Sequence, residues 1–179
     1  MHEEQRRPFA VVEGRDRCAT DGRCDKLGHA HHCAPRGKPR APYADGMAIT
    51  YEWRGDFENA AVNRLHAEGF GHRGLDIDWV AQVHRHSLGW VCARHGRDGE
   101  LVGFVNVAWD GGVHAFVLDT VVTADMRRSG IGAGLVAAAV RGARAARCEW
   151  LHVDFDDELR TFYFDACGFQ PTNAGLIAL

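Results

Sequence analysis

At 179 residues the chain has the length of one domain and can bury a core without disulfides or a structural metal. A net charge of −3 gives no global argument for binding nucleic acid or a membrane surface. No apolar run approaches the length of a bilayer span, and Glu3, Glu4, Arg6 and Arg7 precede no signal-peptide stretch, so the expected compartment is the cytoplasm.

Residues 1–46 hold both lysines and four of the five prolines, with no apolar periodicity beyond Phe9-Ala10-Val11-Val12, and are predicted to be a disordered leader. Cys18, Cys24, His29, His31, His32 and Cys33 are zinc-capable, but their spacing matches none of the usual tight knuckles, so no metal site is predicted. Met47 opens a segment with the proportions of a complete domain, 47–179, which makes a biological start at Met47 one expectation. From there Ala48 to Trp53 reads as a strand and a helix is predicted over 57–68, with Asp56 as its cap and Gly69 and Gly71 at its end. A second helix, capped by Asp76 or Asp78, carries Ile77, Val80, Val83 and His84 at helical spacing. Trp90 to Ala93 and Leu101 to Trp109 are predicted strands joined by a polar turn, and Asp110-Gly111-Gly112 turns the chain into the strand Ala115 to Val122. A helix from Ala133 to Ala146, a strand at 149–155, a helix at about 157–166 and a strand at about 174–179 complete the chain. The order β-α-α-β-β-β-α-β-α-β describes an α/β fold with a mixed sheet. The last strand, apolar and placed at a sheet edge, is compatible with a homodimer. Cys92, Cys148 and Cys167 are expected to be reduced, buried thiols.

The segment Arg127-Arg128-Ser129-Gly130-Ile131-Gly132 joins the apolar strand to the next helix. Glycines let consecutive amides turn toward one point, and the helix start leaves its first N–H groups unpaired at the positive end of its dipole. That is an anion site suited to a pyrophosphate. No Lys-Ser/Thr follows the glycines, as a P-loop requires, and the spacing is not Gly-x-Gly-x-x-Gly. The remaining pattern, Arg127, Gly130 and Gly132 read as Arg/Gln-x-x-Gly-x-Gly/Ala, resembles the acetyl-CoA loop of the GNAT superfamily of N-acetyltransferases. Leu118 to Arg127 resembles that family's fourth strand running into the loop. Leu151 to Phe155 resembles its fifth strand, and Phe162 to Phe169 the end of its last helix, "FYxxxGF". The resemblance spans roughly residues 48 to 179 and implies a mixed, mostly antiparallel sheet flanked by helices.

The resemblance implies acetyl transfer from acetyl-CoA to a primary amine, on a small molecule or a protein, by direct transfer in a ternary complex without a metal, a nucleic acid or a membrane. The amides of Arg128, Ser129, Gly130, Ile131, Gly132 and Ala133 would hold the pyrophosphate, with Arg127 and Arg128 adding charge. Main-chain groups of Thr120, Val121 and Val122 would pair with the pantetheine. Asp119, the one charged residue inside an apolar strand, either lines the acceptor site, binding a cationic amine or accepting its proton directly or through water, or else pairs with a neighbouring helix or lies at an exposed sheet end. His114, His152 and Asp154 are weaker candidates for that task, and His66, His72, His84 and His86 fall where the family's early helices border the acceptor. Tyr163 stands five residues before Gly168, whereas the family's tyrosine stands four before, the place of Phe164 here. Either the turn before Gly168 takes up an extra residue and restores Tyr163 as general acid for the CoA thiolate, or the proton comes from water. Cys167 has no obvious histidine partner and reads as packing. The 17 acidic against 12 basic side chains of 47–179 lean toward a cationic acceptor. Two other readings stand beside this one: a CoA-binding module with little catalysis, favoured by the displaced tyrosine, and a domain carrying a zinc-binding leader.

Overall fold

The computed structural model describes residues 48–96 and 99–177. The leader, its cysteines and histidines and the start at Met47 lie outside the described residues. The elements are β1 (Ile49–Trp53), α1 (Asn59–Phe70), α2 (Trp79–His86), β2 (Ser87–His95), β3 (Glu100–Trp109), β4 (His114–Val122), α3 (Ile131–Ala145) and β5 (Trp150–His152), with short 3-10 turns at Ala124–Met126 and Asp157–Leu159 and a π-helix at Thr161–Ala166. The five strands form one sheet in sequence order, antiparallel except for the parallel pair of β4 and β5.

Both faces of the sheet are covered, which explains why β2 and β3 read as nearly unbroken apolar runs instead of alternating. On β2, Val91 and Ala93 join Leu135, Ala138 and Ala139 of α3 in one core. Trp90 and Cys92 point the other way, into a second core with Val62 and Leu65 of α1 and Trp79 and Val83 of α2. Period-2 alternation therefore sorts side chains between two apolar layers here, not between core and water.

The boundaries of the early helices follow local chemistry. Asp56 does not cap α1, which begins after Glu58 and ends where Gly71 adopts φ 67 and its N–H reaches Ala67 O. Asp78 does cap α2: its carboxylate accepts from Ala81 N at 3.0 Å and from Asn59 Nδ2 at 2.9 Å, and these hydrogen bonds hold it below the ordinary carboxylate range. Helical spacing points Val80 inward, but with α2 starting at Trp79 the inward stripe is Trp79 and Val83, and Val80 is exposed.

Two expected elements are different. The helix predicted at about 157–166 is a 3-10 turn followed by a π-helix. The strand predicted at about 174–179 is absent from its described part, 174–177, where Leu176 and Ile177 are exposed. An apolar run becomes a strand only where a sheet edge accepts its backbone, and this one pairs with nothing. Among the described residues no helix is long and apolar enough to cross a membrane.

Candidate active site

The site is built on an irregularity in β4. Its register with β3 runs Asn106↔Leu118 and then Phe104↔Val121, so two steps along β3 match three along β4 and one residue is extra. This is a β-bulge, and Asp119 sits in it at φ 55. Asp is among the few residues that adopt the left-handed region at modest cost, through its short polar side chain. The extra residue inverts the facing of the rest of the strand. Ala115 and Val117 pack toward α3, yet Val121 joins the core under α1 and α2, while Val122 packs toward α3. Pairing with β5 ends at Phe116↔His152, so among the described residues no strand lies beside the outer edge of β4 from Val117 to Val122, an edge of the kind that accepts an extended ligand.

Asp119 faces α1. Its Oδ1 lies 3.4 Å from His66 Nε2, and its Oδ2 accepts from Asn106 Nδ2 at 3.3 Å. The Ser87 hydroxyl donates to Asn106 Oδ1 at 2.6 Å, which fixes the amide with its NH₂ toward Asp119. Behind His66, Nδ1 meets His72 Nε2 at 2.7 Å, and His72 Nδ1 meets the Arg73 carbonyl at 2.7 Å. The carboxylate thus abuts α1 through His66 and keeps 22% of its side chain exposed. A cleft of about 510 Å³ adjoins Asn106, between the end of α2, the start of β2 and Leu118. Arg85 and His86 line it and, among the described residues, no carboxylate does, so the lean toward a cationic acceptor finds no support in this lining. Nothing in the sequence marks Asn106 and Ser87 as site residues. His66 does carry a signal, since it follows buried Val62 by one helical turn and extends the inward stripe of α1.

The glycine segment forms the turn into α3. Gly130 is the N-cap at φ 90, in a place where a Cβ would meet nothing within 4 Å. It is the left-handed backbone, not crowding, that calls for glycine here. Arg128 is also left-handed, at φ 64. Among the described residues no acceptor pairs with the N–H groups of Arg128 through Ala133, which leaves this run of amides free for an anion. Gly132 serves packing as well: a Cβ there would lie 3.1 Å from Phe162 Cε2. Arg127 does something other than the expected phosphate contact. Its guanidinium bonds back to Val122 O at 3.1 Å and Glu68 O at 3.3 Å, tying the end of β4 to the end of α1. Ser129 is likewise turned inward, its hydroxyl on Met126 O at 2.5 Å.

The π-helix settles where Tyr163 lies. Cys167 N bonds to Phe162 O and Phe169 N to Tyr163 O, both at 3.0 Å, so the turn before Gly168 does take up the extra residue. Tyr163 is 6% exposed, stacked on Phe155 at 4.7 Å and edge-on to Phe162 and Phe169. Burial raises its phenol above the ordinary 10, while the neighbouring Thr120 hydroxyl acts the other way. Thr120 Oγ1 is a buried polar atom with no hydrogen-bond partner among the described residues. Such an orphan next to an unpaired strand edge is what a site for a polar, extended ligand requires. Asp119 and Thr120 are adjacent but turned to opposite faces of β4, one toward His66 and the other toward Tyr163.

The remaining candidates lie apart. His114 Nδ1 meets His152 Nε2 at 2.8 Å on an exposed part of the β4–β5 pair, and Asp154 is exposed beyond the end of β5. His84 packs edge-on against Trp90 at 4.9 Å. Burial pushes the Cys167 thiol up to about 11 and the Cys92 thiol up to about 12, so both are protonated near neutrality and neither is a ready nucleophile.

Comparison with known proteins bears on family and fold. The sequence model described as the acetyltransferase (GNAT) family matches residues 47–169. Among solved structures, a Trypanosoma brucei acetyltransferase is 16% identical with a TM-score of 0.61, over 73% of this chain and 99% of that one. An aminoglycoside N-acetyltransferase in complex with CoA is 17% identical with a TM-score of 0.60, over 76% and 97%. Glucosamine-6-phosphate N-acetyltransferase from Arabidopsis thaliana is 15% identical with a TM-score of 0.59, over 73% and 98%. At these identities the structural likenesses establish the fold. No curated protein matches the chain by sequence.

Proposed function

The chain belongs to the acetyltransferase (GNAT) family of acetyl-CoA-dependent acyltransferases, and we propose that it moves the acetyl group to a primary amine by direct transfer, with the bulge of β4 as the reaction centre. The observation that carries this reading is the opposed placement of Asp119 and Tyr163 around an unpaired strand edge that runs toward the amides of Arg128 to Ala133.

In this reading the amides of Arg128, Ser129, Gly130, Ile131, Gly132 and Ala133 hold the pyrophosphate, and the backbone of Thr120, Val121 and Val122 pairs with the pantetheine. Arg127 shapes the turn by its bonds to Val122 and Glu68, and Arg128 remains the exposed charge beside the phosphates. Asp119 removes the proton of the amine, which enters from the cleft at Asn106 and Leu118 on the α2 side. Tyr163 Oη, a neutral phenol, supplies the proton that the departing thiolate needs. Holding thioester and amine together removes much of the entropic barrier, and a matched base and acid each contribute about 10²–10⁴-fold. The acceptor is a primary amine on a small molecule or a protein. The cytoplasm is the compartment where acetyl-CoA would be met by this chain, and dimerisation remains an expectation independent of the site.

Calorimetric titration of the full chain with acetyl-CoA and with CoA tests the reading. We expect micromolar binding, about −8 kcal/mol, that weakens at least tenfold in Gly130→Val, where a β-branched side chain would have to occupy φ 90 and would distort the run of amides. Transfer is then assayed with a panel of amines that includes an aminoglycoside and glucosamine 6-phosphate. No binding by folded protein would refute the proposal.

A further inference from the structure

We propose that His66, His72 and Asp119 form a proton-accepting chain whose tautomers are set by the backbone, and that His66 Nε2 receives the proton that Asp119 takes from the amine. The role in transfer rests on the function proposed above, whereas the tautomers do not.

Counting hydrogens assigns the tautomers. Three links run in series: Arg73 O to His72 Nδ1, His72 Nε2 to His66 Nδ1, and His66 Nε2 to Asp119 Oδ1. Both ends, a backbone carbonyl and an ionised carboxylate, only accept. Each link needs one hydrogen, and two neutral imidazoles bring two. The carbonyl forces His72 to carry its hydrogen on Nδ1, which leaves His72 Nε2 as an acceptor and forces His66 to carry its own on Nδ1. His66 Nε2 then presents a lone pair to the carboxylate. The distances agree: the two filled links are 2.7 Å each, and the third is 3.4 Å, longer than the roughly 2.7–3.2 Å of an ordinary N–H···O bond. One more proton completes the series.

Aromatic rings flank His66. Its ring lies 4.4 Å from the Phe70 centroid and 5.0 Å from the Trp79 centroid, and aromatic faces attract a cation at such distances. The other carboxylate oxygen of Asp119 is held by Asn106, whose amide is in turn held by Ser87, so Asp119 keeps Oδ1 on His66. Among the described residues no three His, Cys, Asp or Glu side chains converge on a point that could hold a metal ion; this is a line of links, not a cage. In the proposed step an N–H bond of the substrate ammonium breaks, an O–H bond forms on Asp119, and that hydrogen passes to His66 Nε2, leaving an imidazolium beside a carboxylate. No electrons are transferred and no co-reactant is needed. His66 acts through Asp119 and is a positioning residue, with His72 setting its tautomer.

Nitrogen-15 correlation spectra of the full chain with labelled histidine, recorded at about pH 8.5, two units above the ordinary imidazole value, read the tautomers directly. We expect His66 as the Nδ1–H form in the wild type. In His72→Ala the acceptor for that hydrogen is gone, and His66 should switch to the Nε2–H form and donate to Asp119. In Asp119→Asn the carboxamide can donate to Nε2, and His66 should remain Nδ1–H. An Nε2–H His66 in the wild type, or no switch in His72→Ala, overturns the chain. The functional half is read with His66→Gln in acetyl transfer to the best panel amine: kcat should fall about 10²-fold with KM for acetyl-CoA unchanged and the acidic limb of the pH profile altered. Wild-type kcat at every pH overturns the proton role even if the tautomers are as expected. Acetyl-CoA titration of the same samples separates the two ideas, since expected tautomers without binding would sink the transfer role and leave the chain of links intact.

Discussion

Asp119 occupies a position where the backbone and the chemistry make separate demands, and substitutions there should split them. In Asp119→Ala a residue without a local polar side chain must hold φ 55, which costs about 1 kcal/mol. The Nδ2 donor of Asn106, a residue 3% exposed, also loses its acceptor at a further cost of about 1–3 kcal/mol. The sum is roughly 3 kcal/mol, and for a chain of this length each kcal/mol lowers Tm by about 2–4 °C, so a fall of about 6–12 °C is expected. Asp119→Asn keeps the tolerance for a left-handed backbone, offers Asn106 a carbonyl and offers His66 Nε2 an NH₂, and its Tm should stay within about 2 °C of wild type. Both substitutions should lower acetyl transfer by about 10²-fold or more. Thermal melting by circular dichroism beside acetyl-CoA titration provides the readout. If Ala and Asn melt together, Asp119 is not held in the bulge as described; if Asn transfers acetyl at the wild-type rate, the carboxylate is not the proton acceptor.

Tyr163→Phe removes a hydroxyl that makes no well-formed hydrogen bond among the described residues, so stability should change by less than about 1 kcal/mol while kcat falls about 10²-fold or more; an unchanged kcat measured by stopped assay would assign thiolate protonation to water. Cys92 predicts an alkaline weakness. Its thiol is raised from 9.0 to about 12, chiefly by burial, so the folded state keeps a proton that the unfolded chain releases. Stability from this group is whole below pH 9 and is lost as pH rises toward 12, at about 1.4 kcal/mol per unit. Melting at about pH 8 and about pH 10.5 should show a loss of about 2 kcal/mol from this source that Cys92→Ala lacks, and an equal alkaline drop in both proteins would refute it.

The order of the elements was legible because each begins and ends on local signals: Asp78 as a cap, Gly71 as a stop, and the glycine turn between an apolar strand and an Ala-rich helix. The position of Asp119 was legible as an anomaly of composition. Its bulge was not, because alternation in β4 is hidden by apolar residues on both faces, so a one-residue shift leaves no mark in the hydrophobic pattern. Arg127 read as a phosphate ligand because charge beside an anion cradle has an evident use, and nothing local announces that Glu68, 59 positions away, offers its carbonyl to the guanidinium. The links from Arg73 through His72 and His66 to Asp119 depend on a helix end meeting a strand, which is tertiary information. The strand expected near the C-terminus failed for the same reason, since its apolar residues describe what could pair and not whether an edge is free.

The π-helix at Thr161–Ala166 bears on how such chains change over time. A π turn holds one more residue than an α turn between the same two anchors, so an insertion ahead of Gly168 can be absorbed as a local widening while the tyrosine and the glycine keep their places. Spacing along the sequence is then free to vary by one where position in space is not. A search that counts residues between the tyrosine and the glycine would discard this chain, whereas one that asks which ring lies against Thr120 would keep it. Deleting Phe164 should convert the widening to a regular turn and leave the fold standing.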